Sequence, residues 1–332
     1  MAGDDWTIDE LETLLALDAL DADEHVDAQL ALGGSYVAGL SDVAAALAES
    51  EAADPPPSLR RTALSAALVD RAAGTSLDGV APLAPADAFA AFVADLRALL
   101  DELAPDEWSE PAHPAYGSVR DLVAHLVGVE EIMLGWCGAR DLVAADDHVA
   151  ATRDAVASRS RVPGPAVAEQ WHALAQEALA AATAADPDRP VVAHDIPTDV
   201  DGVLVLRSFE LWSHADDVRR ATGRPVPPPD PAAMALLSSR LMRVAALAPA
   251  FRGVATPAGD VRFVLTGPGG GAYDVELARG DSAPDATIVV DVVDLCRVAA
   301  RRLPVDELEW ALEGDRAIAE LLLAHVDAFA RD

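Results

Sequence analysis

The segment from Val203 to Arg224, VLVLRSFELWSHADDVRRATGR, constrains the fold more than any other part of this chain. Both ends of the segment carry helix signals. Asp201 and Gly202 open it, two arginines fall in its last turn, and Gly223 followed by Pro225 ends it. The segment therefore predicts one continuous helix of about six turns.

Glu210 and His214 stand four residues apart within this helix. That spacing turns through about 40° and rises about 6 Å, so both side chains leave the same face, one above the other. A carboxylate and an imidazole so placed could share one cation with a third ligand from elsewhere in the chain. The alternative is a histidine in a polar core, hydrogen-bonded to its neighbouring glutamate, with no metal.

The composition excludes several classes of function. The net charge is −32, from 56 acidic and 24 basic residues, which argues against binding to nucleic acid or to anionic membranes. Every basic residue is arginine, so lysine-based Schiff-base chemistry and the lysine-bearing phosphate loop are excluded. The acidic N-terminus and the two cysteines, too few for a disulfide framework, predict a cytoplasmic protein.

Three further long helices are predicted before the helix that carries Glu210 and His214. One runs from Pro85 to Leu103, with proline at its first position. A second begins after the capping box Ser118-x-x-Asp121 and carries His125 beside its apolar stripe. A third occupies residues 165–184. Four helices of about twenty residues predict a mainly α fold built on a four-helix bundle, whose core is a common place for metal sites.

The hydrophobic period changes from helical spacing to two beyond Gly253. This change predicts a small α+β domain with strands near residues 261–265, 273–277 and 288–292, and helices at 293–302 and 315–330. The predicted organisation is a linker at 71–84, the bundle at 85–225, a connecting helix at 226–253 and the α+β domain at 254–332.

Residues 1–70 read as short helices. The succession LETLLALDALDADE and PPPSLRRTAL resembles zinc-binding anti-sigma domains, but Gln29, Gly33 and Tyr36 fall on the three ligand positions. The resemblance implies a metal-free remnant able to grip a partner such as a sigma factor. The alternative is a plain helical extension. Either way, this segment is expected to hold no zinc.

The stretches SVRDLVAHLVGVE and ELWSHADDVRR together resemble the mycothiol-dependent maleylpyruvate isomerases, whose N-terminal domain is a DinB-like four-helix bundle. The stretches DATIVVDVVDLCRVAARR and LEGDRAIAELLLAHV resemble the sterol-carrier-like domain that follows it in that family. The resemblance places His125, Glu210 and His214 on the family's zinc ligands. It also implies an open zinc position filled by the thiol of mycothiol.

Two functions from different classes are consistent with the sequence. The first is a zinc- and mycothiol-dependent enzyme that adds a thiolate to an electrophile, as an isomerase or a thiol S-transferase. The family implies an arginine of the C-terminal domain for an anionic substrate, and Arg302 and Arg316 are the candidates, with a solvated face or a salt bridge as the alternative. The second is a regulatory or sensor protein that binds its partner through residues 1–70.

Other polar residues near the candidate site have more ordinary interpretations. Asp217 could hold a ligand or a nearby arginine, or could form a surface ion pair with Arg220. Glu130 and Glu131 are expected to be solvated or to act as capping groups. Cys137 lies about 18 Å along the helix from His125 and is expected to serve in packing.

Overall fold

The structure is a computed structural model that describes residues 76–77, 79–141, 148–193, 196–256, 259–277 and 284–330. The predicted helices of residues 1–70 lie outside the described residues. So does the prediction that this segment holds no zinc.

The helices of the N-terminal half have clear local causes. Proline occupies the first turn of the first helix, the Ser118 hydroxyl accepts a hydrogen bond from the Asp121 amide, and the Asp199 carboxylate accepts one from the Gly202 amide. The described helices of this half are α1 (Pro85–Asp101), α2 (Val119–Trp136), α3 (His148–Arg159), α4 (Gly164–Ala184) and α5 (Val200–Ala221). Helices α1, α2, α4 and α5 pack as the predicted bundle, and α3, which the sequence did not predict, packs beside α2.

Two short hairpins connect these helices. Strands β1 (Pro111–His113) and β2 (Gly117–Ser118) pair antiparallel between α1 and α2. Strands β3 (Pro190–Ala193) and β4 (Ile196–Asp199) pair antiparallel and lead directly into α5. The last residue of β4 is therefore also the N-cap of α5, which fixes where the site-bearing helix begins.

The C-terminal half forms the predicted α+β layer, with one strand more than the sequence suggested. The elements are α6 (Pro231–Ala245), α7 (Ala248–Phe251), β5 (Asp260–Thr266), β6 (Ala272–Glu276), β7 (Ala286–Asp291), α8 (Val292–Ala299), β8 (Trp310–Gly314) and α9 (Arg316–Leu323). The sheet order is β6-β5-β7-β8, in which β5 and β7 are parallel and the outer pairs are antiparallel. Strand β8 was not predicted, and the last helix is shorter than expected.

Helix α5 contributes to two hydrophobic cores. Val203 and Leu211 are fully buried in the bundle core, whereas Val205 and Trp212 pack in the core beneath the sheet, with Phe263. The bundle and the sheet layer accordingly belong to one compact unit. Among the described residues, no helix is both long enough and apolar enough to cross a membrane.

Candidate metal centre

Three side chains that the sequence singled out converge at one point of the bundle. His125 projects from α2, and Glu210 and His214 project from the same face of α5. The Oε1 atom of Glu210 lies 3.2 Å from Nε2 of His125 and 3.8 Å from Nε2 of His214. One ligand atom from each of the three residues lies within 4.8 Å of the other two.

Both imidazoles are held by their second ring nitrogen. Nδ1 of His214 lies 2.9 Å from the Asp217 carboxylate, which can only accept, so the proton of the neutral ring belongs on Nδ1. Nδ1 of His125 lies 2.7 Å from the hydroxyl of Thr152 on α3. When that hydroxyl accepts, both Nε2 atoms present lone pairs to the shared point. Metal-ligating histidines are oriented in this way.

The donor set fits a divalent cation such as zinc. A tetrahedral zinc with nitrogen and oxygen ligands spaces neighbouring ligand atoms by roughly 3.3 Å, close to the two separations between Glu210 and the histidines. Two imidazole nitrogens and one carboxylate oxygen also form the type of set that leaves a fourth position open. The assignment of these three residues as metal ligands is a proposal that rests on this geometry.

The second oxygen of Glu210 is occupied by a buried charge network. Oε2 of Glu210 accepts a hydrogen bond from Arg207, whose other terminal nitrogen donates to Glu130 at 2.8 Å. Arg207 and Glu130 are both completely buried, and the indole of Trp171 lies 3.4 Å from the same Glu130 oxygen. Arg207 thus holds one oxygen of Glu210 and leaves the other for the histidines.

The prediction that Glu130 is solvated or capping was wrong. Helix α2 is buried on almost every side, because α3, α4 and α5 all pack against it. Burial raises the pKa of Glu130, and the charge of Arg207 opposes that rise without cancelling it. In the sequence, the position of Arg207 inside the apolar run VLVLRSF indicates a buried arginine, which needs a buried acidic partner such as Glu130.

Asp217 contacts the ring of His214 and the nearby Arg302, in agreement with one of its two predicted interpretations. Burial would raise the pKa of Asp217, but hydrogen bonds from His214 and Arg302 lower it to about 2. Burial lowers the pKa of His214, but its hydrogen bond to Asp217 and the nearby carboxylate of Glu210 outweigh that effect and raise it above its usual value. Arg220 instead lies 3.8 Å from Asp216.

The two candidate arginines lie in different places. Arg302 is nearly buried and contacts Asp217 through two nitrogens, at 2.7 and 3.2 Å, and one of these nitrogens is 3.2 Å from Nδ1 of His214. Arg316 has a side chain that is 67% exposed, pairs with Glu320 on its own helix and lies over the Trp310 ring. The structure therefore brings Arg302, but not Arg316, to the triad.

An aromatic stack that the sequence did not indicate covers the triad. The ring of Tyr116 lies between His113 and His125, with centroid separations of 4.7 and 3.7 Å. His113 also meets His214 edge-on at 5.7 Å. Both new residues come from the β1–β2 hairpin, whose position over the bundle depends on tertiary contacts that sequence periodicity does not report.

An open groove of about 190 Å³ begins at the triad. Tyr116, Glu210 and His214 lie on its wall, and the C-terminal half contributes Ala299 and Arg302. The groove therefore runs between the bundle and the α+β layer.

Comparison with known proteins matches residues 89–219 to the family described as the mycothiol maleylpyruvate isomerase N-terminal domain. Two solved structures also match, those of the mycothiol-dependent maleylpyruvate isomerase and of its histidine-to-alanine mutant. Each is 15% identical and covers 68% of this chain and 91% of its own, with TM-scores of 0.47 and 0.49 respectively. A search of curated proteins gives no match. The predicted resemblance of the bundle to this N-terminal domain is confirmed, and the resemblance of the last eighty residues to a sterol-carrier-like domain stays a prediction.

Proposed function

We propose, on the premise that residues 89–219 are a mycothiol maleylpyruvate isomerase N-terminal domain, that this chain is a metal-dependent enzyme using mycothiol. Its reaction is the addition of the thiolate to an electrophilic substrate, as an isomerase or as a thiol S-transferase. The observation that carries the proposal is the meeting of His125, Glu210 and His214 at the end of an open groove.

The chain offers no accessible thiol of its own for such chemistry. Its two cysteines, Cys137 and Cys296, are both buried, and burial raises the pKa of each thiol above its usual value. A buried neutral thiol is a poor nucleophile. The nucleophile is therefore expected to come from a small molecule that enters the groove.

The side chains around the site have distinct tasks in this proposal. His125, Glu210 and His214 would hold the cation, which when bound lowers the pKa of a thiol at its open position. Arg207 keeps Glu210 in place, and Asp217 keeps the proton of His214 on Nδ1. Tyr116, stacked on His125, shields that side of the site from water.

The product depends on the fate of the adduct. The thiolate sulfur bonds to one carbon of a conjugated double bond, and the displaced electron pair moves toward the substrate's carbonyl oxygen. Expulsion of the thiolate after rotation about the former double bond gives an isomer, whereas protonation of the neighbouring carbon gives a stable thioether.

The test combines metal content with turnover. Protein purified without added metal should contain about one divalent ion per chain, and it should consume mycothiol in the presence of a suitable electrophile. His214→Ala should lose most of the metal and the activity. His172→Ala, at a histidine on α4 that contacts Gln176, is the matched control and should keep both.

Metal content unchanged in His214→Ala would show that the ligand assignment is wrong. The regulatory alternative depends on residues 1–70, outside the described residues, and remains a prediction that a pull-down with this segment would test.

A further inference from the structure

One face of α5 forms the floor of the groove over a long distance. Seven lining residues follow one another at intervals of three and one, so they lie along a single stripe of the helix. From Gly202 to His214 that stripe extends about 18 Å. In order, the residues are Gly202, Val205, Leu206, Phe209, Glu210, Ser213 and His214.

The chemistry changes along the stripe. Glu210 and His214 of the triad occupy its C-terminal end, and the middle, at Val205, Leu206 and Phe209, is apolar. Helix α6 contributes further apolar residues to the lining, namely Leu237, Leu241 and Val244. Together these surfaces form an apolar channel that leads away from the metal ligands.

The charged groups of the groove are already balanced by neighbours. Arg302 contacts Asp217 through two nitrogens near the triad. At the other end Arg240 lies against Gly202 and contacts the Asp199 carboxylate at 3.2 Å. Each arginine on the groove wall thus faces a carboxylate, which makes the groove a poor receptor for a small dianion.

We infer that the groove binds an elongated electrophile with an apolar body, an α,β-unsaturated ketone carrying an unbranched alkyl chain. Its conjugated carbons lie beside the triad and its chain extends along Val205, Leu206 and Phe209. The inference rests on the proposed function and adds the substrate class. Addition would join the sulfur to the β-carbon, shift the double-bond electrons toward the carbonyl, and place the proton released by the thiol on the α-carbon.

The size of the groove limits the chain that it holds. An apolar cavity of about 150 Å³ accommodates benzene. A groove of about 190 Å³ therefore suits an alkyl chain of comparable or slightly larger size. Affinity should rise with chain length and then level off once the chain extends beyond the groove into solvent.

The first experiment measures binding without chemistry. Saturated methyl ketones with ethyl, butyl, hexyl and decyl chains are titrated calorimetrically into zinc-loaded protein in the absence of thiol. We expect the affinity to increase roughly five- to fifteen-fold for each two added methylenes up to hexyl, and little beyond. Maleate serves as the small dianionic probe and should bind more weakly than the hexyl ketone.

A matched pair of variants tests the location. Leu206→Gln places an amide in the half-buried middle of the stripe and should remove most of the dependence on chain length. Leu247→Gln makes the same change at a side chain that is 57% exposed and outside the groove lining, and should leave it unchanged. Both variants should retain the metal content of the parent protein, which shows that they are folded.

The outcomes separate this inference from the proposed function. Affinity independent of chain length, or maleate binding tighter than the hexyl ketone, would overturn the inference while leaving thiol chemistry on a polar electrophile intact. Chain-length-dependent ketone binding without mycothiol consumption in the corresponding unsaturated ketones would support the groove and reject the proposed reaction.

Discussion

Glu210 serves two neighbours at once, with one oxygen toward the histidines and the other held by Arg207. Behind Arg207 lies Glu130, so two carboxylates share one guanidinium that is completely buried. Removing either Arg207 or Glu130 alone would leave an uncompensated charge in the protein interior. The position of the Glu210 carboxylate thus depends on Arg207 and Glu130, two residues that do not line the groove.

Arg207→Met should lower the free energy of unfolding by about 3–5 kcal/mol, because it leaves the buried Glu130 and the partly buried Glu210 without their shared counter-ion. The double variant Arg207→Met, Glu130→Met should lose less free energy of unfolding than the sum of the losses in Arg207→Met and Glu130→Met alone. Chemical denaturation of the metal-free protein measures both. Arg140→Met, which breaks an exposed pair with Glu177, should cost at most about 1 kcal/mol. Additive losses would show that the buried groups act independently.

Asp217→Asn should weaken metal binding by about 10–100-fold, since it removes the carboxylate that orients His214. Arg302→Gln should do the same to a smaller degree if Arg302 acts through Asp217. Competition with a chelating dye measures the affinity.

Asp216→Asn is the control, because Asp216 faces Arg297 and Arg220. An Arg302→Gln enzyme with unchanged metal affinity and a raised KM would instead assign Arg302 to the substrate.

At the scale of elements, the sequence predicted those helices whose signals are local. The Ser118 capping box located α2 and the flanking signals located α5, so helix geometry placed Glu210 and His214 on one face of α5. The choice of His125 as the third residue came from the family resemblance. Helix α3 has weak amphipathic character, and the contact of its Thr152 with His125 could not be foreseen from periodicity.

Other elements escaped prediction because packing decides them. Strand β8 is five residues long and pairs with β7, a contact between distant parts of the chain that its short sequence does not specify. Glu130 was misplaced because α2 was treated as a helix with one buried stripe, whereas neighbours cover it almost entirely. Tyr116 lies at the site because its hairpin folds over the bundle, and this tertiary contact has no signal in the local sequence.

At the scale of the whole molecule, the α+β layer is joined to the site through charge as well as through apolar packing. Arg297 and Arg302 of the C-terminal half reach the consecutive Asp216 and Asp217 of α5. Removing residues 254–332 would also expose Val205 and Trp212, which are buried beneath the sheet. Single substitutions at the arginines are therefore a sharper test of the role of this layer than its deletion.

Because α5 contributes to both hydrophobic cores, we expect the stability of the sheet to depend on whether the triad has bound a metal ion. A ligand that binds only the folded state at a thousand times its dissociation constant adds about 4 kcal/mol to stability. If the two layers open together, that gain should slow amide hydrogen exchange in β5 and β7 as well as in α5 when zinc is added. His214→Ala protein should show no such slowing. Protection confined to the bundle would mean that the layers open separately, whereas protection of the sheet would make its amides a remote reporter of metal occupancy.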